Sequence, residues 1–108
     1  MQQLDRVFHA LSNSTRREVI ARLAEGPTAM TVLAEPFNMA LPSFLQHMQV
    51  LEAAGLVNSS KTGRTRVYQI QPQQLIEAEH WMDKHRSIWE ARLNQFDDFV
   101  ILLKESNP

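Results

Sequence analysis

The chain has 108 residues, with 11 lysines and arginines against 12 aspartates and glutamates, and no cysteine. This length allows one domain with a modest core, and the lack of cysteine excludes a disulfide framework, a thiolate metal site and a cysteine nucleophile. No apolar run approaches the roughly 20 residues that cross a bilayer, and the N-terminus lacks a secretory-signal pattern. We therefore predict a single cytoplasmic domain over residues 1–108, with no membrane partner.

The charge is unevenly distributed along the chain. Between Leu41 and Gln71 there are three basic residues and one acidic residue, which gives a net charge of +2. From Pro72 to Pro108 there are four basic and seven acidic residues, which gives −3. This segregation is expected where one surface meets phosphate and another does not.

The first half of the chain has helical periodicity. An apolar stripe predicts a first helix over about residues 3–11. Polar residues 12–15 then offer three possible N-caps for the second helix: Thr15 in a capping box with Glu18, or Asn13, or Ser14. A short third helix is predicted over 30–35, and Asn38 stands in the following turn, where a residue that tolerates positive φ is expected.

The next segment combines a helix with a charged hairpin. Pro42 suits the first position of a helix, and Gly55 suits its end. Phe44, Met48 and Leu51 share one face and are predicted to point to the core, which leaves the polar residues on another face. Strands are predicted over 57–60 and 66–70, joined by a turn in which Gly63 supplies a positive φ.

After Pro72 the chain is predicted to be helical almost to its end. Apolar residues from Leu75 to Leu103 recur at spacings of four and three, along roughly 43 Å at 1.5 Å per residue. This seam is longer than the small core can cover. We therefore expect part of it to pack against a second copy of the chain.

Three stretches resemble the ArsR family of bacterial winged-helix repressors. They read S-T-R-R at 14–17 followed by V-I-A-R-L at 19–23, V-L-A-E-P-F-N-M at 32–39, and Q-H-M-Q-V-L-E-A-A-G-L-V at 46–57. The resemblance implies a mainly α winged helix-turn-helix of five helices and a two-stranded wing. It also implies a homodimer that binds operator DNA, with residues 1–12 and 72–104 as dimerisation helices. The expected interface residues are Leu4, Phe8, Trp81, Trp89, Leu93, Phe96 and Val100.

The resemblance places double-stranded DNA against the helix at 42–54 and the wing at 57–70. Its members usually carry serine at the position of Leu45 and basic residues at Gln46 and Gln49. A glutamine can pair with adenine and a leucine can pack on a thymine methyl, which favours A·T-leaning readout. The wing cations would contact phosphates. The predicted DNA-binding residues are Pro42, Ser43, Leu45, Gln46, His47, Gln49, Lys61, Arg64, Thr65 and Arg66.

Two positions keep alternative interpretations. His47 is assigned either to DNA contact or to a structural hydrogen bond. Arg16 and Arg17 stand near a helix N-terminus, where the helix dipole disfavours cations, so they pair either with carboxylates or with phosphates.

Metal and catalytic sites are not predicted. Some similar proteins bind metal on the last helix; Asp83 and His85 match half of that site, but Phe96 and Phe99 occupy the other half. We predict no cofactor or catalytic residue and leave open whether His80, Asp83 or His85 binds an ion. Two alternatives to a DNA-binding repressor remain: a protein-interaction module, and a sensor of an unidentified metal or ligand.

Overall fold

The computed structural model describes residues 2–106, which form five helices and three strands. One compact unit ends at Ala78 and contains all elements up to the first turns of the last helix, and a second unit begins at Glu79. In chain order the elements are α1 (Gln2–Leu11), α2 (Ser14–Leu23), β1 (Thr28–Ala29), α3 (Met30–Ala34), α4 (Leu41–Ala53), β2 (Val57–Thr62), β3 (Thr65–Ile70) and α5 (Gln73–Ser106).

Asn13 caps the second helix. Its extended backbone precedes α2, and its side-chain oxygen accepts a hydrogen bond from the Arg16 main-chain N–H at 3.1 Å. One of the free N–H groups of the first helical turn is thereby satisfied. Of the three predicted caps, the structure selects Asn13.

The turn between α3 and α4 differs from the prediction. Within residues 2–106, positive φ occurs only at Gly26, Gly55 and Gly63, so the positive φ expected near Asn38 was wrong. The turn is instead closed by main-chain hydrogen bonds such as that from Phe37 N–H to the Ala34 carbonyl at 3.0 Å. α4 then begins one residue before Pro42, so the proline is the second helical residue and not the first.

The wing is one part of a three-stranded antiparallel sheet with strand order β1-β3-β2. β2 and β3 pair from Val57↔Ile70 to Thr62↔Thr65. Gly63 has φ of +63° and Arg64 a negative φ, the pattern of a type II′ hairpin turn. The sequence predicted the two wing strands but not β1, because two residues are too short to show an alternating pattern.

The core belongs to the unit that ends at Ala78. Its fully buried side chains come from α1, α2, α3, α4 and the strand region, and the largest are Phe44, Leu23, Leu33, Met48, Leu51, Leu56, Val7 and Val19. Three of these belong to α4, at the positions that helical periodicity predicted. The buried face of α4 therefore packs against the core, which fixes the position of the helix.

α5 is 34 residues long, and of its residues Ala78 is buried. In its second half, large apolar side chains are exposed, among them Leu93 at 62% and Phe96 at 61%. No helix among residues 2–106 combines the length and hydropathy that a membrane span requires.

Candidate nucleic-acid interface

α4 presents a polar face to solvent. Pro42, Ser43, Gln46 and Gln49 are all exposed, and their spacing of three or four residues places them on one side of the helix. Phe44 and the other core residues of α4 are almost fully buried on the opposite side. The predicted division of α4 into a core face and an outward polar face is confirmed.

The wing carries the predicted cations on its surface. Lys61, Arg64, Thr65 and Arg66 are exposed. Lys61 and Arg66 are directly opposite each other in the β2–β3 register, so their side chains share one face of the hairpin. Like charges in this arrangement repel, and an anion bound to that face would offset the repulsion.

Arg66 is also held within the hairpin. Its guanidinium donates a hydrogen bond from Nη1 to the Ser59 Oγ at 2.8 Å. Because this bond uses one of the five N–H donors of the side chain, the remaining donors can contact another acceptor. The bond restricts the rotamers of an otherwise flexible side chain.

α4 and the wing enclose a common groove of about 550 Å³. It brings Leu45 and Gln49 together with the four wing residues predicted to contact DNA. It also includes residues that the sequence did not single out. The full lining is Met30, Thr31, Leu45, Gln49, Glu52, Lys61, Arg64, Thr65, Arg66 and Tyr68.

Tyr68 was not predicted as part of the site. It lies on β3 two residues after Arg66, opposite Ser59 of β2 and Thr28 of β1, and it is only 4% exposed. Burial, and then the nearby Glu52 carboxylate, raise the pKa of the Tyr68 phenol, with Arg66 opposing the shift. The hydroxyl is therefore protonated at neutral pH and available as a hydrogen-bond donor at the wall of the groove.

Comparison with known proteins gives a consistent result. A helix-turn-helix domain model matches residues 11–60. The chain is 43% identical over 68 residues to the HTH-type transcriptional regulator Rv2034 of Mycobacterium tuberculosis. This matched region is 63% of this chain and 64% of that protein. It is 29% identical over 79 residues to the transcriptional repressor SdpR of Bacillus subtilis, covering 73% of this chain and 88% of SdpR.

A solved structure decides the family. The crystal structure of an ArsR family transcriptional regulator matches with a TM-score of 0.78 and 40% identity, over 82% of this chain and 92% of that chain. The chain belongs to the ArsR family. It is a transcriptional regulator with a helix-turn-helix DNA-binding domain, and its relatives are regulators and not enzymes.

In this ArsR-family chain, Arg16 and Arg17 bond to main-chain carbonyl groups. Arg16 is 8% exposed; its Nε donates to the Ala10 carbonyl at 2.7 Å and its Nη2 to the His9 carbonyl at 3.2 Å. Arg17 is exposed and donates to the Leu11 carbonyl at 2.8 Å. Both cations therefore bond to carbonyls at the end of α1, where the helix dipole favours positive charge. The His9 carbonyl also accepts hydrogen bonds from the N–H and the Oγ of Ser12. Of the two alternatives, carboxylate pairing was wrong, since the ion pairs among residues 2–106 involve neither side chain, and phosphate contact stays a prediction.

His47 is half-buried and linked to the same arginine. Its Nδ1 is 3.1 Å from Arg16 Nη1. Burial first, and then the Arg16 charge, lower the pKa of the imidazole from its ordinary value of 6.5. The structural hydrogen bond that was one of the two interpretations of His47 is present.

The candidate metal residues of the ArsR-family chain lie close together in sequence on α5. Across the described part of the chain, no three or more histidine, aspartate or glutamate side chains come together as a metal would require. Asp83 pairs with Arg86 at 3.2 Å, and the Nδ1 of His85 is 2.9 Å from the Trp81 carbonyl oxygen. The His85 ring also stacks on Trp81, with ring centroids 4.3 Å apart.

The predicted dimerisation residues of the ArsR-family chain differ in exposure. Leu4 packs against the core, whereas Phe8 is 36% exposed. On α5, Trp81 and Val100 are half-buried, and Trp89, Leu93 and Phe96 are exposed.

Proposed function

We propose that this chain is a transcriptional repressor that binds a two-fold-symmetric operator as a homodimer, through α4 and the wing. The observation that carries the proposal is the single surface on which an exposed polar helix face adjoins a hairpin with three cations. Shape and charge are thus combined at the position where a winged helix meets DNA.

The two parts of this surface have different tasks. Lys61, Arg64 and Arg66 are exposed and approach backbone phosphates, which supply most of the affinity. Gln46 and Gln49 are uncharged, and a glutamine side chain can pair with the N6 and N7 edge of adenine. We therefore assign affinity chiefly to the wing and base readout chiefly to α4.

The homodimer is supported by the exposed apolar side chains of α5. Trp89, Leu93 and Phe96 are all exposed and lie on one apolar seam. Single exposed apolar residues are normal on a monomer, but a continuous exposed apolar surface marks an interaction site. A second copy of the same helix would cover this surface by a two-fold contact. The paired recognition helices would then reach half-sites about one helical turn apart.

Repression would follow from occupation of the promoter. SdpR, which is similar over most of its length, is a transcriptional repressor. A dimer bound across a promoter excludes polymerase without any catalytic group. The protein would act in the bacterial cytoplasm, where the chromosome lies.

The proposal is tested by selecting duplexes from a random pool with the full chain, and then measuring binding to the selected sequence at several salt concentrations. We expect a palindromic motif and an affinity that falls steeply with salt. With three wing cations in each protomer, about six phosphate contacts predict a log–log slope near −5.

Two results would contradict the proposal. Lack of binding to any duplex at low salt would favour the alternative of a protein-interaction module that uses the same polar surface. Recovery of single, unpaired half-sites would contradict symmetric dimer binding. A promoter-reporter assay in bacteria then tests repression, and increased transcription on expression of the chain would contradict it.

A further inference from the structure

Arg16 fixes the protonation pattern of His47. The guanidinium carries only donors and stays charged, so the hydrogen bond of 3.1 Å between Arg16 Nη1 and His47 Nδ1 requires Nδ1 to be the acceptor. An imidazole that accepts at Nδ1 carries its proton at Nε2. The ring is therefore neutral, and Nε2–H is its donor.

Arg16 is itself held in place by the end of α1. Its Nε and Nη2 donate to the carbonyl groups of Ala10 and His9, and the residue is almost completely buried. The third donor can thus reach only a narrow set of positions. His47 is oriented by a fixed group and not by a mobile surface side chain.

The Nε2 atom of His47 reaches solvent. Among residues 2–106 it has no hydrogen-bond partner, since the only bond of this ring is to Arg16. In the same part of the chain, no side-chain nitrogen or oxygen is both buried and unpaired. The Nε2–H group is consequently an accessible donor on α4, one turn after the exposed Ser43.

We propose that Arg16 is a positioning residue for DNA binding, which holds His47 in the Nε2–H tautomer so that the neutral ring donates a hydrogen bond to a backbone phosphate. This inference rests on the proposed function. The two interpretations of His47 in the sequence then describe the two nitrogens of one ring: Nδ1 is structural and Nε2 contacts DNA. The lowered pKa of His47 is in keeping with a neutral ring.

Two substitutions separate these roles. The amide nitrogen of glutamine can take a position near that of Nε2, so His47→Gln keeps an outward donor. Asparagine is shorter and reaches only the position of Nδ1, so His47→Asn keeps an acceptor for Arg16 and loses the outward donor. Thermal unfolding of both variants confirms that each is folded before binding is measured.

Binding is measured with random-sequence duplexes at low salt, because a phosphate contact does not depend on sequence. We expect His47→Asn to weaken binding about tenfold for each bound protomer, as for the loss of one hydrogen bond to a charged group in each. His47→Gln should stay within about threefold of wild type. A purely structural role predicts the reverse order, with His47→Asn normal and His47→Gln impaired, and that result would overturn the proposal.

The salt dependence distinguishes a neutral donor from a cation. A neutral donor releases no counterion, so the log–log slope should be the same for wild type and His47→Asn. If the slope of His47→Asn is shallower than that of wild type by about 0.9 for each protomer, His47 binds as an imidazolium, which would contradict the proposal. Nitrogen-15 NMR of the free protein should show a protonated Nε2 and an unprotonated Nδ1, and the opposite tautomer would also overturn it.

The outcomes keep this proposal separate from the proposed function. If wild type fails to bind any duplex, both are overturned. If wild type binds and His47→Asn binds equally well, only the role of His47 is overturned.

Discussion

The carbonyl oxygen of Ala10 accepts a hydrogen bond from Arg16 Nε over 2.7 Å, and both residues are buried. This contact joins the end of α1 to the start of α2. Through its other donors the same guanidinium reaches the His9 carbonyl and the His47 ring. One side chain therefore connects the first helix, the second helix and the helix that presents the polar face.

Substitution of Arg16 should strongly destabilise the fold. Arg16→Met removes three hydrogen bonds and takes the Arg16 donor away from the buried Ala10 carbonyl, which should lower the free energy of unfolding by about 2–4 kcal/mol. Arg17→Met is the matched control: its bond to the Leu11 carbonyl is exposed, so the loss should be below about 1 kcal/mol. Urea unfolding followed by circular dichroism measures both. If both variants lose the same free energy of unfolding, the buried contacts of Arg16 stabilise the fold no more than the exposed contact of Arg17.

The lowered pKa of His47 predicts a pH-dependent stability. The ordinary pKa of histidine is 6.5, and burial and Arg16 lower it in the folded chain. As the pH falls below about 6.5, the unfolded state takes up this proton before the folded state, so the free energy of unfolding decreases. The decrease continues until the pH reaches the lowered pKa of the folded state. Above about pH 7 His47 is neutral in both states and does not make the free energy of unfolding depend on pH.

The measurement compares wild type with His47→Gln between about pH 5 and 8. The other titrating groups are common to both proteins, so their contributions largely cancel in the difference. Wild type should lose stability relative to His47→Gln on the acidic side. Parallel curves over this range would show that the pKa of His47 is not lowered.

The wing cations and the glutamines of α4 should affect DNA binding in different ways. Arg64→Gln removes an exposed charge and should make the log–log salt slope shallower by about 0.9 for each protomer, with similar loss for every duplex. Gln46→Ala should leave the slope unchanged and reduce discrimination at one base pair by about 1–3 kcal/mol. Binding of selected and scrambled duplexes at several salt concentrations measures both quantities. If Gln46→Ala weakens all duplexes equally, Gln46 does not read bases.

Local signals in the sequence were sufficient for much of this interface. Pro42 and Gly55 indicated the limits of α4 to within two residues, and the spacing of Phe44, Met48 and Leu51 gave its buried face. Gly63 located the hairpin turn. These features depend on backbone preference and on periodicity, which a sequence displays directly.

Long-range contacts were missed for a physical reason. Met30 and Thr31 line the groove because β1, which directly precedes them, pairs with the distant strand β3, and nothing in either local segment specifies that pairing. The carbonyl partners of Arg16 were also missed, since any residue type supplies a main-chain carbonyl. Such contacts are determined by the packing of several elements and leave little trace in a local pattern.

A charge on the apolar surface of α5 should prevent dimerisation. Leu93 is 62% exposed and lies on the apolar seam with Phe96. Leu93→Lys would bury an ammonium group against a second copy of the chain. A two-fold interface would contain this buried charge twice, once from each protomer. We expect monomers at concentrations where wild type sediments as a dimer in analytical ultracentrifugation.

Asn94→Lys supplies the matched control for that experiment. It adds the same charge one residue later, on the polar side of α5 that carries Glu90, Asp97 and Asp98, and it should sediment as wild type does. Because paired half-sites require paired recognition helices, Leu93→Lys should also weaken binding to a palindromic duplex far more than binding to a single half-site. A monomeric wild type would contradict the proposed homodimer. A dimer that persists in Leu93→Lys would place the dimer contact elsewhere in the chain.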